Sequence, residues 1–156
     1  MEIRRAVPGD IPGLIDLLHQ VLEVHHEGRP DLFKTNCTKY TPAELETLLA
    51  DETKPVFAAF DEAGQILGHA FCMIEEYAGD NVQTDRRTLY IDDICVDEKA
   101  RKQHVGSALY AHVLGYARSI GCYNVTLNVW ECNPGACAFY QAMGMKPYKT
   151  GMETIL

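Results

Sequence analysis

The chain reads as a mixed α/β fold in the order β-α-α-β-β-β-α-β-α-β, a largely antiparallel sheet with helices on its faces. Three observations predict it. Apolar residues recur at three- and four-residue steps in Ile11, Leu14, Ile15, Leu18, Leu22 and again in Val105, Ala108, Leu109, His112, Val113, Tyr116, Ala117, Ile120. Short runs rich in β-branched and aromatic residues lie between these helices. The run before Val105 and the run after Ile120 are joined through a helix, so those two strands must be parallel.

In chain order, a first strand covers Glu2 to Ala6. Asp10 then offers an N-cap, with Pro12 in the first turn of a helix that reaches about Val24. Periodicity vanishes from His25 to Tyr40, where Gly28, Pro30 and two adjacent histidines punctuate a long connection. Thr41-Pro42-Ala43-Glu44 is a capping box, and Leu45, Leu48 and Leu49 line one face of the short helix it starts. Val56 to Phe60 and Ile66 to Glu76 form an antiparallel hairpin across Asp61 to Gln65. A strand from about Thr88 to Val96 follows. After the long helix, Gly121 supplies the stop, and Asn124 to Trp130 reads as a strand. Asn133-Pro134 opens a last helix closed by Gly144, and a final strand is expected over Lys146 to Ile155. No repeat or linker divides the chain, so residues 1–156 are expected to form a single domain.

Composition narrows the function classes. The formal net charge of −8 argues against nucleic-acid binding, which needs a concentrated basic face. No apolar stretch approaches the ~18 residues needed to span a bilayer, and the amino terminus has no secretory h-region. A cytoplasmic protein without membrane contact is expected. The six cysteines include no C-x-x-C pair or zinc-ligand spacing, so they are expected to be reduced thiols, with no metal site.

The chemistry concentrates between Val96 and the long helix. Arg101-Lys102-Gln103-His104-Val105-Gly106-Ser107 leads from a strand through a polar turn into a helix. Free backbone N–H groups and the helix dipole favour an anion there, Gly106 permits close approach, and Arg101 and Lys102 add charge. Taken alone, the loop fits a phosphate site and an ordinary strand–helix turn equally well.

This arrangement resembles the GNAT superfamily of N-acetyltransferases over nearly the whole chain. The family's pyrophosphate signature is Arg or Gln, two residues, Gly, one residue, then Gly or Ala. Here Arg101 and Gly106 match, and His104 stands where the middle glycine is usual. A second signature, Asn133-x-x-Ala136-x-x-Phe139-Tyr140 followed by Gly144-Met145, lies at the expected separation.

The resemblance implies an acetyl-CoA-dependent N-acetyltransferase acting by direct attack in a ternary complex. Its acceptor would be an amine, on a small molecule or a peptide, and a homodimer is a reasonable default. It implies that Ile94, Cys95 and Val96 pair with the pantetheine arm through their backbone. Arg101, Lys102, Gln103, His104, Val105, Gly106 and Ser107 would hold the pyrophosphate, with Asn133, Ala136 and Tyr140 completing the cofactor side. A lysine-type amine, with pKa ~10.4, must lose a proton before it attacks. A carboxylate can take it, and Asp92 or Asp93 is the candidate, Asp92 first, with Glu75 and Glu76 behind. The two aspartates point to opposite faces unless a bulge intervenes. Tyr140 matches the tyrosine that protonates the departing thiolate. His26, Arg29, Phe33 and Trp130 are the expected acceptor-site residues. A non-catalytic acyl-CoA-binding domain of the same fold is the alternative, suggested by His104.

Overall fold

A computed structural model describes residues 1–156. Its elements are β1 (Glu2–Arg5), α1 (Ile11–Gly28), α2 (Pro42–Leu49), β2 (Val56–Phe60), β3 (Ile66–Tyr77), β4 (Arg86–Val96), α3 (Val105–Ser119), β5 (Asn124–Leu127) and α4 (Pro134–Ala142). The five strands form one sheet in the order β1-β2-β3-β4-β5. Every neighbouring pair is antiparallel except β4 and β5, which run parallel across the α3 crossover as expected.

Strand alternation gives the sheet two apolar faces. Phe57, Ala59, Ala70, Cys72, Leu89 and Ile91 face α3, where Val105, Leu109, Val113 and Ala117 close the core. Val56, Ala58, Phe60 and Phe71 face the other way, against Leu14 and Leu18 of α1 and Leu45 of α2. No helix is long and apolar enough to cross a membrane.

The expected final strand is absent: residues 146–156 carry no regular structure, and Tyr148, Met152, Ile155 and Leu156 are exposed. Pro147 lacks an N–H and Gly151 has no side chain to pack, so a ladder there would be weak from the start. The strand expected to reach Trp130 stops at Leu127, and α1 runs four residues past Val24 to Gly28.

Asp10 does not cap α1. It already has helical φ and ψ at the end of a 3-10 turn, Pro8–Asp10, and its side chain reaches back to the Val7 N–H at 2.8 Å. The same carboxylate takes two hydrogen bonds from Arg4, at 2.7 and 3.0 Å, tying β1 to the start of α1. These bonds hold its carboxyl below the usual range, the Arg4 hydrogen bond foremost. A lowered folded pKa stabilises above the unfolded value and is lost as pH falls through the folded one. Asp10→Asn is therefore expected to cost about 1 kcal/mol at pH 7. The difference from the parent should shrink as pH falls below ~4, read from urea midpoints at each pH.

Candidate active site

The sequence left open where Asp92 and Asp93 point, and the sheet register answers it. Phe71 of β3 pairs with Asp93, but its neighbour Cys72 pairs with Ile91, so Asp92 is an extra residue in β4. This β-bulge breaks the alternation. Ile91 faces α3, yet Asp93 shares the α1 face with Phe71. Asp92 is drawn to that side as well: its Oδ2 receives Lys39 Nζ at 2.6 Å from the loop between α1 and α2. Asp93 Oδ2 lies 2.7 Å from Nε2 of His69, an imidazole completely buried on β3. Both carboxylates thus lie on the α1 side of the sheet.

The bulge also ends the sheet on one side. β4 and β5 pair only from Thr88↔Asn124 to Ile91↔Leu127. From Asp92 to Val96 no strand covers the β4 edge that faced β5, so Ile94, Cys95 and Val96 flank an open row of backbone groups. Ile94 and Val96 turn towards the α3 core. Cys95 turns the other way, and its thiol donates to the Leu17 carbonyl at 3.5 Å. Burial pushes the Cys95 thiol up to about 12, as it does that of Cys72, so neither is a nucleophile. Cys132 is exposed, beside Gly28 of α1.

The turn after β4 delivers the chain to α3. Asp97 caps a short 3-10 turn by accepting the Lys99 N–H at 2.8 Å. Gln20 of α1 braces the same turn, donating to Asp97 at 3.2 Å and accepting the Glu98 N–H at 3.1 Å. Arg101, Lys102, Gln103 and His104 are exposed, and both Lys102 (φ 63°) and His104 (φ 62°) are left-handed. Histidine therefore adopts the conformation a glycine would supply, at a cost of roughly 1 kcal/mol. No side chain caps α3, whereas Thr41 caps α2 and Asn133 caps α4. The N–H groups of Val105, Gly106 and Ser107 have no carbonyl one turn back, and Ser107 Oγ donates to the His104 carbonyl at 2.9 Å.

Gly106 separates packing from ligand approach. A Cβ there would meet Phe139 at 3.4 Å and Val96 at 3.5 Å, ordinary contacts, so the protein's own packing tolerates a methyl. Gly106→Ala is expected to hold or raise stability by up to ~1 kcal/mol, since alanine favours a helix. The same variant should weaken acetyl-CoA at least several-fold, measured by titration calorimetry. Equal affinity would remove this turn as the phosphate cradle.

On the far side, Asn133 Oδ1 accepts the Ala136 N–H at 3.1 Å, which explains why an asparagine stands three residues before an alanine at this helix start. Four residues on from Ala136, Tyr140 packs edge-on to Tyr110 and Phe139. Burial, reinforced by the negative charge of Asp93, lifts its hydroxyl well above the ordinary phenol value, so it keeps its proton.

The acceptor-side residues divide. Phe33 and Trp130 come together edge-to-face at 5.3 Å, and His25 joins them with its ring 5.1 Å from Phe33. His26 instead uses Nδ1 to bond the Phe33 carbonyl at 2.7 Å, shaping the loop rather than the cleft. Arg29 is tied to Asp31 and, across 2.9 Å, to Glu153 of the C-terminal segment. Burial lowers the basicity of His25. Glu75 accepts the Tyr77 hydroxyl at 3.0 Å and Glu76 pairs with Arg87, both far along β3 from the bulge. Sequence reading missed Lys39 and His69, and it placed His25 on the loop rather than on α1. That placement was recoverable: His25 continues the Leu14–Leu18 stripe once α1 is allowed to run its full length.

A strand edge opened by a bulge, an uncapped helix start beside it, and a tyrosine that feels the charge of Asp93 gather at the end of β4. The chain belongs to the acetyltransferase (GNAT) family, which it matches over residues 18–145. It is similar to a mutant of the BH1408 protein from Bacillus halodurans, at 29% identity over 100% of this chain and 99% of that one, with a TM-score of 0.95. Glucosamine 6-phosphate N-acetyltransferase from Arabidopsis thaliana is 28% identical over 90 residues, 49% of this chain. That match spans 58% of the relative's length, a little over half. A crystal structure of glucosamine-6-phosphate N-acetyltransferase from Arabidopsis thaliana superposes with a TM-score of 0.72 at 22% identity, covering 99% of this chain and 97% of that one.

Proposed function

We propose that this acetyltransferase moves the acetyl group of acetyl-CoA onto a primary amine by direct attack within a ternary complex. The observation that carries the reading is the bulge at Asp92, which puts two carboxylates on the α1 side of the sheet next to a stretch of open strand edge. The residues present fit acetyl-CoA, which supplies an activated thioester. Unpaired backbone at Ile94 to Val96 suits an amide-rich arm, and the uncapped start of α3 with Arg101 and Lys102 suits a pyrophosphate.

Asp93 is the proposed base. Its Oδ2 is engaged by His69, which leaves Oδ1 to take a proton from the incoming ammonium, directly or through water. Asp92 ranks second because its carboxylate already holds Lys39. Tyr140 keeps its proton and can pass it to the departing thiolate sulfur. His25, Phe33 and Trp130 offer an aromatic wall to the acceptor's body, and such faces attract cations. Arg29 and Lys39, the loop's two fixed cations, are neutralised by carboxylates. The site thus favours a cationic amine with an apolar or aromatic body over a phosphorylated sugar.

Tyr140→Phe tests the chemistry. Turnover is expected to fall by roughly 10- to 1000-fold while acetyl-CoA affinity stays within a few-fold. Thiol release would be followed with a panel of aryl-alkyl amines, polyamines and amino-sugar phosphates. Tight acetyl-CoA binding with no turnover on any amine would overturn the reading in favour of a sensor domain. The left-handed His104 gives that alternative no support, because the turn keeps its glycine-like course.

A further inference from the structure

Resting on the assignment of Asp93 as base, we propose that His69 is a positioning residue that fixes the base for proton abstraction. His69 is fully buried on β3, beyond reach of any acceptor, with Nε2 2.7 Å from Asp93 Oδ2. The two lie diagonally across the β3–β4 ladder, where His69 pairs with Cys95 and Phe71 with Asp93. Phe71 packs edge-on against the imidazole at 4.8 Å and holds the ring plane. Nδ1 is buried and has no hydrogen-bond partner.

That asymmetry selects a tautomer. A neutral imidazole has a single N–H. Placed on Nε2, the hydrogen satisfies Asp93 and leaves only a bare lone pair on Nδ1. Placed on Nδ1, it strands a buried donor and sets a lone pair against a carboxylate oxygen, the costlier arrangement. His69 therefore donates to Oδ2 and presents Oδ1 to the cleft. The bond also keeps the base apart from Lys39, whose ammonium is close enough for the charge of Asp93 to act on it. Without the imidazole donor, Asp93 can swing towards that ammonium and lose its free lone pair.

The experiment compares His69→Gln, whose amide N–H reaches about as far as Nε2, with His69→Met, which has similar volume and no N–H donor. Each is assayed per folded molecule, with folding checked by circular dichroism and a cooperative melt. His69→Met is expected to lower kcat by ~10- to 100-fold with the KM for acetyl-CoA nearly unchanged, and His69→Gln to recover most of that loss. If His69→Met does not fold, His69→Asn replaces it, since its amide is too short to reach Asp93. Parent-like kcat in the variant without the bond, or equal defects in both variants, overturns the proposal. Asp93→Asn is measured alongside. Full turnover there removes the base assignment and this inference with it. A dead Asp93→Asn beside an active His69→Met removes this inference alone.

Discussion

Asp93→Asn is expected to lower turnover by ~10²- to 10⁴-fold, the range for losing a general base, while leaving both the fold and acetyl-CoA binding intact. The substitution is nearly isosteric. An asparagine can still accept from His69 Nε2 at 2.7 Å, so the buried imidazole keeps its partner and β3–β4 packing is undisturbed. What disappears is the capacity to accept a proton. Asp92→Asn gives the contrast: it removes the charge that holds Lys39, so its effect should fall on acceptor KM more than on kcat. Steady-state rates at saturating acetyl-CoA, with binding measured by calorimetry, decide between them. If Asp93→Asn stays within threefold of the parent while Asp92→Asn collapses, the base is Asp92.

Gly68→Ala should be the most damaging single methyl in the sheet, destabilising by about 2–4 kcal/mol. A Cβ at Gly68 would sit 2.7 Å from the Cys95 carbonyl oxygen, 3.0 Å from Leu109 Cδ1 and 3.3 Å from Val105 Cγ1. The side chains can shift, but the carbonyl belongs to β4 and can yield only by moving the strand. Gly68 pairs with Val96, at the end of the open edge and just before the turn into α3. Lost stability and weakened acetyl-CoA affinity should therefore appear together, in contrast to Gly106→Ala. Urea denaturation measures the first, and a loss below 0.5 kcal/mol would show that the strands separate freely there.

Helical periodicity made the long helices legible, and the parallel β4–β5 pair followed from the crossover between them. The extra residue in β4 was legible too, though unread. Core-facing Leu89, Ile91, Ile94 and Val96 are spaced by two, three and two, and the three is the bulge. The turn from Arg101 to Ser107 and the helix start before Tyr140 stood out because local sequence dictates strand-to-helix turns and caps. The partners of the two aspartates did not, since they come from segments distant in the chain. Lys39 meets Asp92 across 53 positions and His69 meets Asp93 across 24, and nothing local to either partner announces such a meeting. The final strand failed for a related reason: β-propensity names a strand but not its neighbour.

The extra residue at Asp92 works as a half-turn phase shift written into a single strand. Upstream, odd-numbered positions from Leu89 to Ile91 serve the core; downstream, even-numbered Ile94 and Val96 do. Excising that one residue would restore the parity without removing a helix, a strand or an apolar contact pair. Asp93 would stay opposite Phe71 on the α1 side, and what would vanish is the Asp92 carboxylate with its hold on Lys39. The second carboxylate and the anchor of the loop before α2 thus both depend on one extra residue in β4.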